Sequence, residues 1–246
     1  MTWPFENDTS GIVKRISNRS ISANRKRNIF IVLTIALASA LLSAIVLYGF
    51  GVMQETQNRN QKTAQIMYHA ISEQQGQELY KQEEIAWIGE FFNAFSEQVN
   101  HSTVNFTYAN ADMLTSQSMP YSGDLPASEN EIVVQESFLD SLGYSNELGQ
   151  TIQIPFSDGT THDFKLTGIL DVKTGDIGRY TAIISKELVR QQYGDEGMID
   201  YYIGLKGAQN MSEEEATNYA NTLAQQLEIS DDNVIVRSTY FNLKDE

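Results

Sequence analysis

Three groups of side chains in this sequence are of types that perform acid–base or metal chemistry: Glu213-Glu214-Glu215, Asp231-Asp232 and His162-Asp163. Paired carboxylates serve general acid–base catalysis when their surroundings drive their pKa values apart. A His–Asp pair ligates a metal when distant residues complete the donor set. Each group here has a simpler reading. The glutamates open an amphipathic helix, where acids meet the positive end of the helix dipole. The aspartates fall in a turn, which their short side chains favour. His162-Asp163 belongs to a hairpin and is expected at its solvent-exposed surface.

Other signatures are missing from the sequence. It has no Gly-x-x-x-x-Gly-Lys-Ser/Thr run to cradle phosphates, no Gly-x-Ser-x-Gly elbow and no Ser-x-x-Lys pair. With no cysteine, disulfides, thiolate nucleophiles and sulfur-ligated zinc are excluded, and three scattered histidines make a poor metal site. Against 17 basic residues stand 32 acidic ones, a net charge of −15, which argues against nucleic acid as a partner. The chain is therefore expected to be no enzyme, with no catalytic, metal or cofactor-binding residue of its own.

The most informative element is apolar. Residues 29–53 read IFIVLTIALASALLSAIVLYGFGVM without a charge, and about 20 such residues suffice to cross the hydrocarbon core as a helix. The run is too long for the apolar region of a cleaved signal peptide and lacks the polar stripe of a soluble core helix. Residues 1–28 hold Lys14, Arg15, Arg19, Arg25, Lys26 and Arg27 against only Glu6 and Asp8. This bias keeps the N-terminus cytoplasmic and sends residues 54–246 across the membrane. That outer part holds the remaining 11 basic and 30 acidic residues, a net of −19, so it is repelled by anionic headgroups.

The leader has two readings. Asn7, Asp8, Thr9 and Ser10 offer helix caps, and Ile12, Val13, Ile16 and Ile21 are interleaved with arginines, as in a basic helix lying on the inner leaflet. The same residues also suit a disordered arm that only sets topology. Within the span, Ala36, Ala40 and Ala44 recur four apart, with Ser39 and Ser43 beside them. Small residues at this spacing let helix backbones approach, so they define an expected packing face towards further transmembrane helices or a second copy, although small residues also serve as plain fillers.

Beyond the span the pattern alternates between strands and short helices. Residues 54–62 are expected to continue the membrane helix outward. Strands are predicted at 64–72, 84–92, 104–108, 131–134, 151–156, 180–184, 201–205 and 234–236, with Asp158-Gly159 turning a hairpin towards Phe164 and Leu166. Helices are predicted at 73–81, at 137–142 with Gly143 as C-terminal cap, and at 186–192. The last helix opens on a capping box, Ser212-x-x-Glu215. Its apolar face is Ala216, Tyr219, Ala220, Leu223, Ala224 and Leu227. In the first strand the alternation places Ile66 and Tyr68 on one face and Met67, His69 and Ile71 on the other.

Several segments occur in a telling order: Gly123-Asp124-Leu125-Pro126, Glu129-Asn130-Glu131-Ile132-Val133-Val134, Leu142-Gly143, Leu148-Gly149-Gln150-Thr151-Ile152 and Phe164-Lys165-Leu166-Thr167-Gly168-Ile169. Behind a single basic-flanked first helix, this order resembles the N-terminal part of the FtsX-like, or MacB-like, ABC transporter permease family, over nearly the whole chain. The resemblance implies a membrane-anchored α+β protein: a cytoplasmic leader (1–28), a transmembrane helix (29–53) and a mixed α/β extracytoplasmic domain. The last would divide into a porter-like part (54–118 with 195–246) and an inserted β-rich part (119–194).

The resemblance further implies a permease subunit working with a separate cytoplasmic ABC ATPase, which holds the ATP. Hydrolysis there drives export, or mechanical work, through the outer domain, and membrane lipid is the remaining partner. Family members carry at least three more membrane helices, so the chain is expected to be either the front portion of a longer permease or a product truncated at Glu246. The other function class with the same topology is a stand-alone single-pass binding or sensor protein. A membrane-anchored enzyme is disfavoured by the missing catalytic groups.

Overall fold

The computed structural model describes residues 9–172, 179–194, 199–238 and 240–241. The capping candidates Asn7 and Asp8, and the expected boundary at 195, lie outside the described residues. The chain forms two compact units, residues 1–57 and 58–246.

The first unit is helical. α1 (Ser10–Ala23) makes this part of the leader helical. At helical spacing Ile12, Val13 and Ile16 gather on one side, while Lys14, Arg15 and Arg19 spread over the rest. α2 (Arg25–Lys62) begins two residues later and runs without a break through the apolar segment and the polar stretch beyond it.

The second unit is built on one ten-stranded mixed sheet. It starts with β1 (Ile66–Ile71), α3 (Glu73–Leu79), the long β2 (Ile85–Val99), β3 (Ser102–Ala109) and α4 (Ala111–Ser116). β4 (Tyr121–Gly123), β5 (Glu131–Gln135), α5 (Glu136–Leu142), β6 (Thr151–Pro155) and β7 (Thr161–Leu170) follow. The chain closes with β8 (Arg179–Ile184), α6 (Lys186–Tyr193), β9 (Ile199–Leu205), α7 (Glu213–Gln226) and β10 (Val234–Val236). The order across the sheet is β10-β1-β9-β2-β3-β8-β5-β7-β4, with β6 paired to β7. Two pairs, β3 with β8 and β5 with β7, are parallel.

Local chemistry explains the helix ends. Ser72 with Gln75, and Ser212 with Glu215, form reciprocal capping boxes at the starts of α3 and α7. Ser185 caps α6 by accepting from the Leu188 amide, and Gly143 ends α5 in the left-handed conformation.

One face of the sheet carries two hydrophobic clusters. The first joins β1, β9 and β2 to α3 and α7, through Ile66, Tyr68, Ile88, Tyr201, Ile203 and Leu223 among others. The second joins β3, β5 to β8, α5 and α6, around Phe106, Ile132, Phe138 and Leu166. Phe92 and Tyr108, opposite each other on β2 and β3, pack against both. Close fitting marks the first cluster: a Cβ on Gly76 of α3 would come 2.2 Å from the Tyr201 ring.

Ile71 departs from the simple alternation. It is buried with Ile66 and Tyr68, because a bulge with Ala70 at φ +47° shifts the register after Tyr68. Asp200 holds the bulge by accepting from the Ala70 amide at 3.0 Å and bonding His69 Nδ1 at 2.6 Å.

The opposite face is covered only in part. α4 lies across it, with Met113 and Leu114 packed on Ala109, Val133, Leu170 and Ile183. Gly89 permits this approach, since a Cβ there would meet the Met113 sulfur at 3.1 Å and its Cα at 3.2 Å. Asn110 fixes the start of α4: its carbonyl oxygen accepts from the Met113 and Glu90 amides, and its amide donates to the Ile88 carbonyl.

Candidate functional site

The residues that sequence marks for membrane work all lie in the first unit. Ala36, Ser39, Ala40, Ser43 and Ala44 sit on α2 at helical spacing and are exposed. Nothing among the described residues covers them. Their apolar neighbours are equally bare, Leu37 at 64% and Leu42 at 68% exposure, and the most apolar window of Arg25–Val52 is 0% buried within the chain. So large an apolar surface is stable only in lipid or against other helices. The hydroxyl of Thr34 is satisfied internally, donating to the Phe30 carbonyl at 2.8 Å, as a helix in hydrocarbon requires.

Lys14, Arg15 and Arg19 project from α1, and Arg25, Lys26 and Arg27 form the first turn of α2; all six are exposed. That first turn holds no acid, so three cations stand at the positive end of the helix dipole, an unfavourable arrangement for the helix alone. Anionic headgroups at that end of the span would offset it.

In the second unit the structure gathers a set of residues that the sequence does not single out. Glu90 of β2 is 6% exposed, between the two clusters. Tyr80 donates to its Oε1 at 2.9 Å, Tyr108 donates to its Oε2 at 2.6 Å, and Lys186 Nζ reaches the same Oε2 at 3.0 Å. Lys186 also stands 3.3 Å from Glu73 Oε1, and Arg190 pairs with Glu73. The ammonium lies 5.9 Å from the centre of the Tyr108 ring.

Two pairs of opposite charge and two phenols thus join α3, β2, β3 and α6. The bond from Arg190 holds the Glu73 carboxyl below the ordinary carboxylate value. Burial, reinforced by Glu90, pushes both the Tyr80 and Tyr108 phenols well above theirs. The phenols therefore stay protonated as donors, and the cluster acts as a fixed electrostatic joint. The one hint in the sequence is Glu90 itself, a lone acid inside the apolar run IAWIGEFF.

The side chains considered first for chemistry remain apart. Glu213, Glu214 and Glu215 occupy the first turn of α7, and Asp231 and Asp232 a short 3-10 turn. His162 is exposed on β7, its ring tilted against Phe156 with centres 4.2 Å apart and bonded to Thr160, while Asp163 accepts from Gln153. Among the described residues no three acidic or histidine side chains converge as a metal site would require.

Comparison with known proteins places this geometry. The fold is similar to that of the crystal structure of the periplasmic region of MacB from Actinobacillus actinomycetemcomitans. The two are 12% identical at a TM-score of 0.51, over 74% of this chain and 92% of that one. The extracellular domain of the ABC-type transporter YknZ from Gram-positive bacteria aligns at 10% identity and a TM-score of 0.49, over 71% and 98% of the respective chains. A comparison with curated protein sequences gives no match. The model of the MacB-like periplasmic core domain matches residues 29–223, and the chain belongs to that family.

Proposed function

We propose that this chain is the permease subunit of a bacterial ABC transporter, or the N-terminal portion of one. In this reading ATP hydrolysis by a separate cytoplasmic ATPase is coupled to export or mechanotransmission through the extracytoplasmic domain. The observation that supports it most is the extent of the family match, which takes in the apolar helix as well as the folded domain. Residues 1–28 are then cytoplasmic, α2 spans the cell membrane and the remainder is extracytoplasmic. The porter-like part is 54–118 with 195–246, and 119–194 is the inserted part. The line of Ala36, Ala40 and Ala44 packs against further transmembrane helices or a second permease copy, the rest of α2 meeting lipid. The chain holds no cofactor and catalyses nothing itself.

The test is photolabelling of the full chain, purified from its source membrane in mild detergent, with an azido-ATP probe. The expected label falls on a co-purifying ATPase; label on this chain overturns the proposal. Membrane insertion is tested by Ala40→Arg, which should cost about 2.5–3.5 kcal/mol of insertion. Insertion at the wild-type level would remove α2 from the membrane. A second reading, a single-pass membrane-anchored binding or sensor protein, is favoured by one feature, an uncovered groove in the sheet.

A further inference from the structure

Composition does not account for α1 as a helix. Its 14 residues, SGIVKRISNRSISA, include a glycine, an asparagine, four serines and four β-branched side chains, all mediocre helix formers. That length is marginal for a helix alone in water, and Thr9 before it makes no side-chain cap. One side of it is also left bare. Ile12, Ile16 and Ala23 fall on one line with Val13 beside them, and Ile12, Val13 and Ile16 are 62%, 61% and 65% exposed. Nothing among the described residues covers them. By helical spacing Arg15 and Arg19 border this stripe on one side and Lys14 on the other. With Arg25, Lys26 and Arg27 they make six cations in residues 10–28, and that stretch has no acid.

The place of α1 in the chain identifies what meets that stripe. The Asn24 amide closes α1 on the Ser20 carbonyl at 3.1 Å, and the Asn24 carbonyl accepts from the Asn28 amide of α2 at 2.9 Å. Asn24 itself, at φ −107° and ψ 22°, leaves the helical region, so α2 does not continue the axis of α1. Only residues 25–28 separate this bend from the apolar run 29–53, a rise of about 6 Å. One headgroup layer is about 5–7 Å deep. With α2 across the bilayer, the end of α1 is therefore held at the membrane surface, within reach of lipid phosphates.

We propose that α1 is a docking element for anionic phospholipid, lying flat in the leaflet at the N-terminal end of α2, the cytoplasmic one in the reading above. Ile12, Val13 and Ile16 enter the boundary between headgroups and acyl chains, while Lys14, Arg15 and Arg19 reach sideways to the phosphates. The cations of the first turn of α2 belong to the same contact. Three aliphatic side chains bind a bilayer weakly, so the charge decides the outcome, and the tether to α2 makes the step intramolecular. The inference rests on α2 as the membrane span, and neither export nor an ATPase partner enters its test.

The chain has no cysteine, so single-cysteine variants of the full chain each take one nitroxide label. Ile16→Cys reports on the bare stripe, Asn18→Cys on the opposite side of α1, and Leu37→Cys on the span. In nanodiscs of phosphatidylcholine and phosphatidylglycerol, oxygen should relax the label at 16 more than a water-soluble nickel chelate does, and the label at 18 the reverse. Pure phosphatidylcholine should return the label at 16 to the aqueous pattern. Lys14→Gln, Arg15→Gln or Arg19→Gln should each lower the ratio of immersed to free label at 16 about five-fold. The label at 37 should be immersed in every sample. If it is aqueous, the span itself fails and the inference goes with it. With the label at 37 immersed, equal accessibility at 16 and 18 overturns the proposal, and so does immersion at 16 that is indifferent to phosphatidylglycerol or to the loss of the cations.

Discussion

The two hydrophobic clusters share one face of one sheet but are assembled differently. The second draws on residues 99–189, a single stretch of chain. The first draws on residues 66–88 and 199–241, so its halves meet only after the whole second region has been spanned. It is knitted by long-range polar contacts: Tyr68 donates to the Ala220 carbonyl at 3.0 Å, and Gln75 donates to the Leu227 and Glu228 carbonyls at 3.0 and 3.1 Å. The second relies on aromatic packing, with Phe95 stacked on Phe106 at 4.6 Å and Phe156 at 5.5 Å from Phe106. Closing a long loop costs entropy before its contacts form. The difference therefore assigns early, local stability to the second cluster and late, conditional stability to the first, with the Glu90 joint as the place where one feels the other.

The largest expected effect is Phe106→Ala, which removes the centre of the aromatic stack at a cost of about 3–5 kcal/mol. In hydrogen exchange, amides of β5 and β8 should lose protection well before those of α7; equal loss in both would erase the distinction between the clusters. Lys186→Met leaves Glu90 buried without its cation, a change costing about 3 kcal/mol or more. It should loosen both clusters together, and adding Glu90→Gln should restore part of the stability in urea unfolding. If the single variant opens only the α6 side, the joint does not couple the two.

Smaller effects probe the first cluster alone. Gly76→Ala pushes a methyl group into Tyr201, and overpacking of about 1–3 kcal/mol should exceed the gain of up to about 1 kcal/mol in helix propensity. Protection should fall at β9 and α7 and hold at β5 to β7. Ser212→Ala removes the cap of α7 and should cost about 1 kcal/mol by thermal unfolding.

The mildest effect is acidification. The carboxyl of Glu73 is lowered from 4.5 by Arg190, so its contribution is complete above that value and fades as the pH falls towards its folded pKa. Wild-type protein should lose stability in this window, and Glu73→Gln should show a flatter acid limb.

What could be read from the sequence was what neighbours along the chain decide. The capping box at Ser212, the glycine cap at Gly143 and the strands around Ile66, Ile132, Ile152 and Tyr201 all follow from local spacing. β2 was legible only up to Phe92, because Asn93, Ser96 and Gln98 on its far half look like a loop until β3 is seen to pair with them. α4 is six residues long and its apolar face is two side chains, too few for a period. The Glu90 joint was illegible because Lys186 lies 96 residues away from its partner, and no spacing rule reports such a meeting. The uncovered groove in the sheet stayed hidden for the same reason, since β2, β3, β8, β9 and α4 each supply part of it.

One pairing detail bears on how such a protein can change over time. Phe91 of β2 has Ala109 as its partner on one side and Asp200 on the other. The chain thus departs from β3 and re-enters at β9 two strand spacings apart, about 10 Å. A handful of residues can bridge that distance. Loops between the two stems can therefore be lengthened or shortened while the stems keep their register, provided the β3–β8 pairing and the Lys186–Glu90 contact are kept.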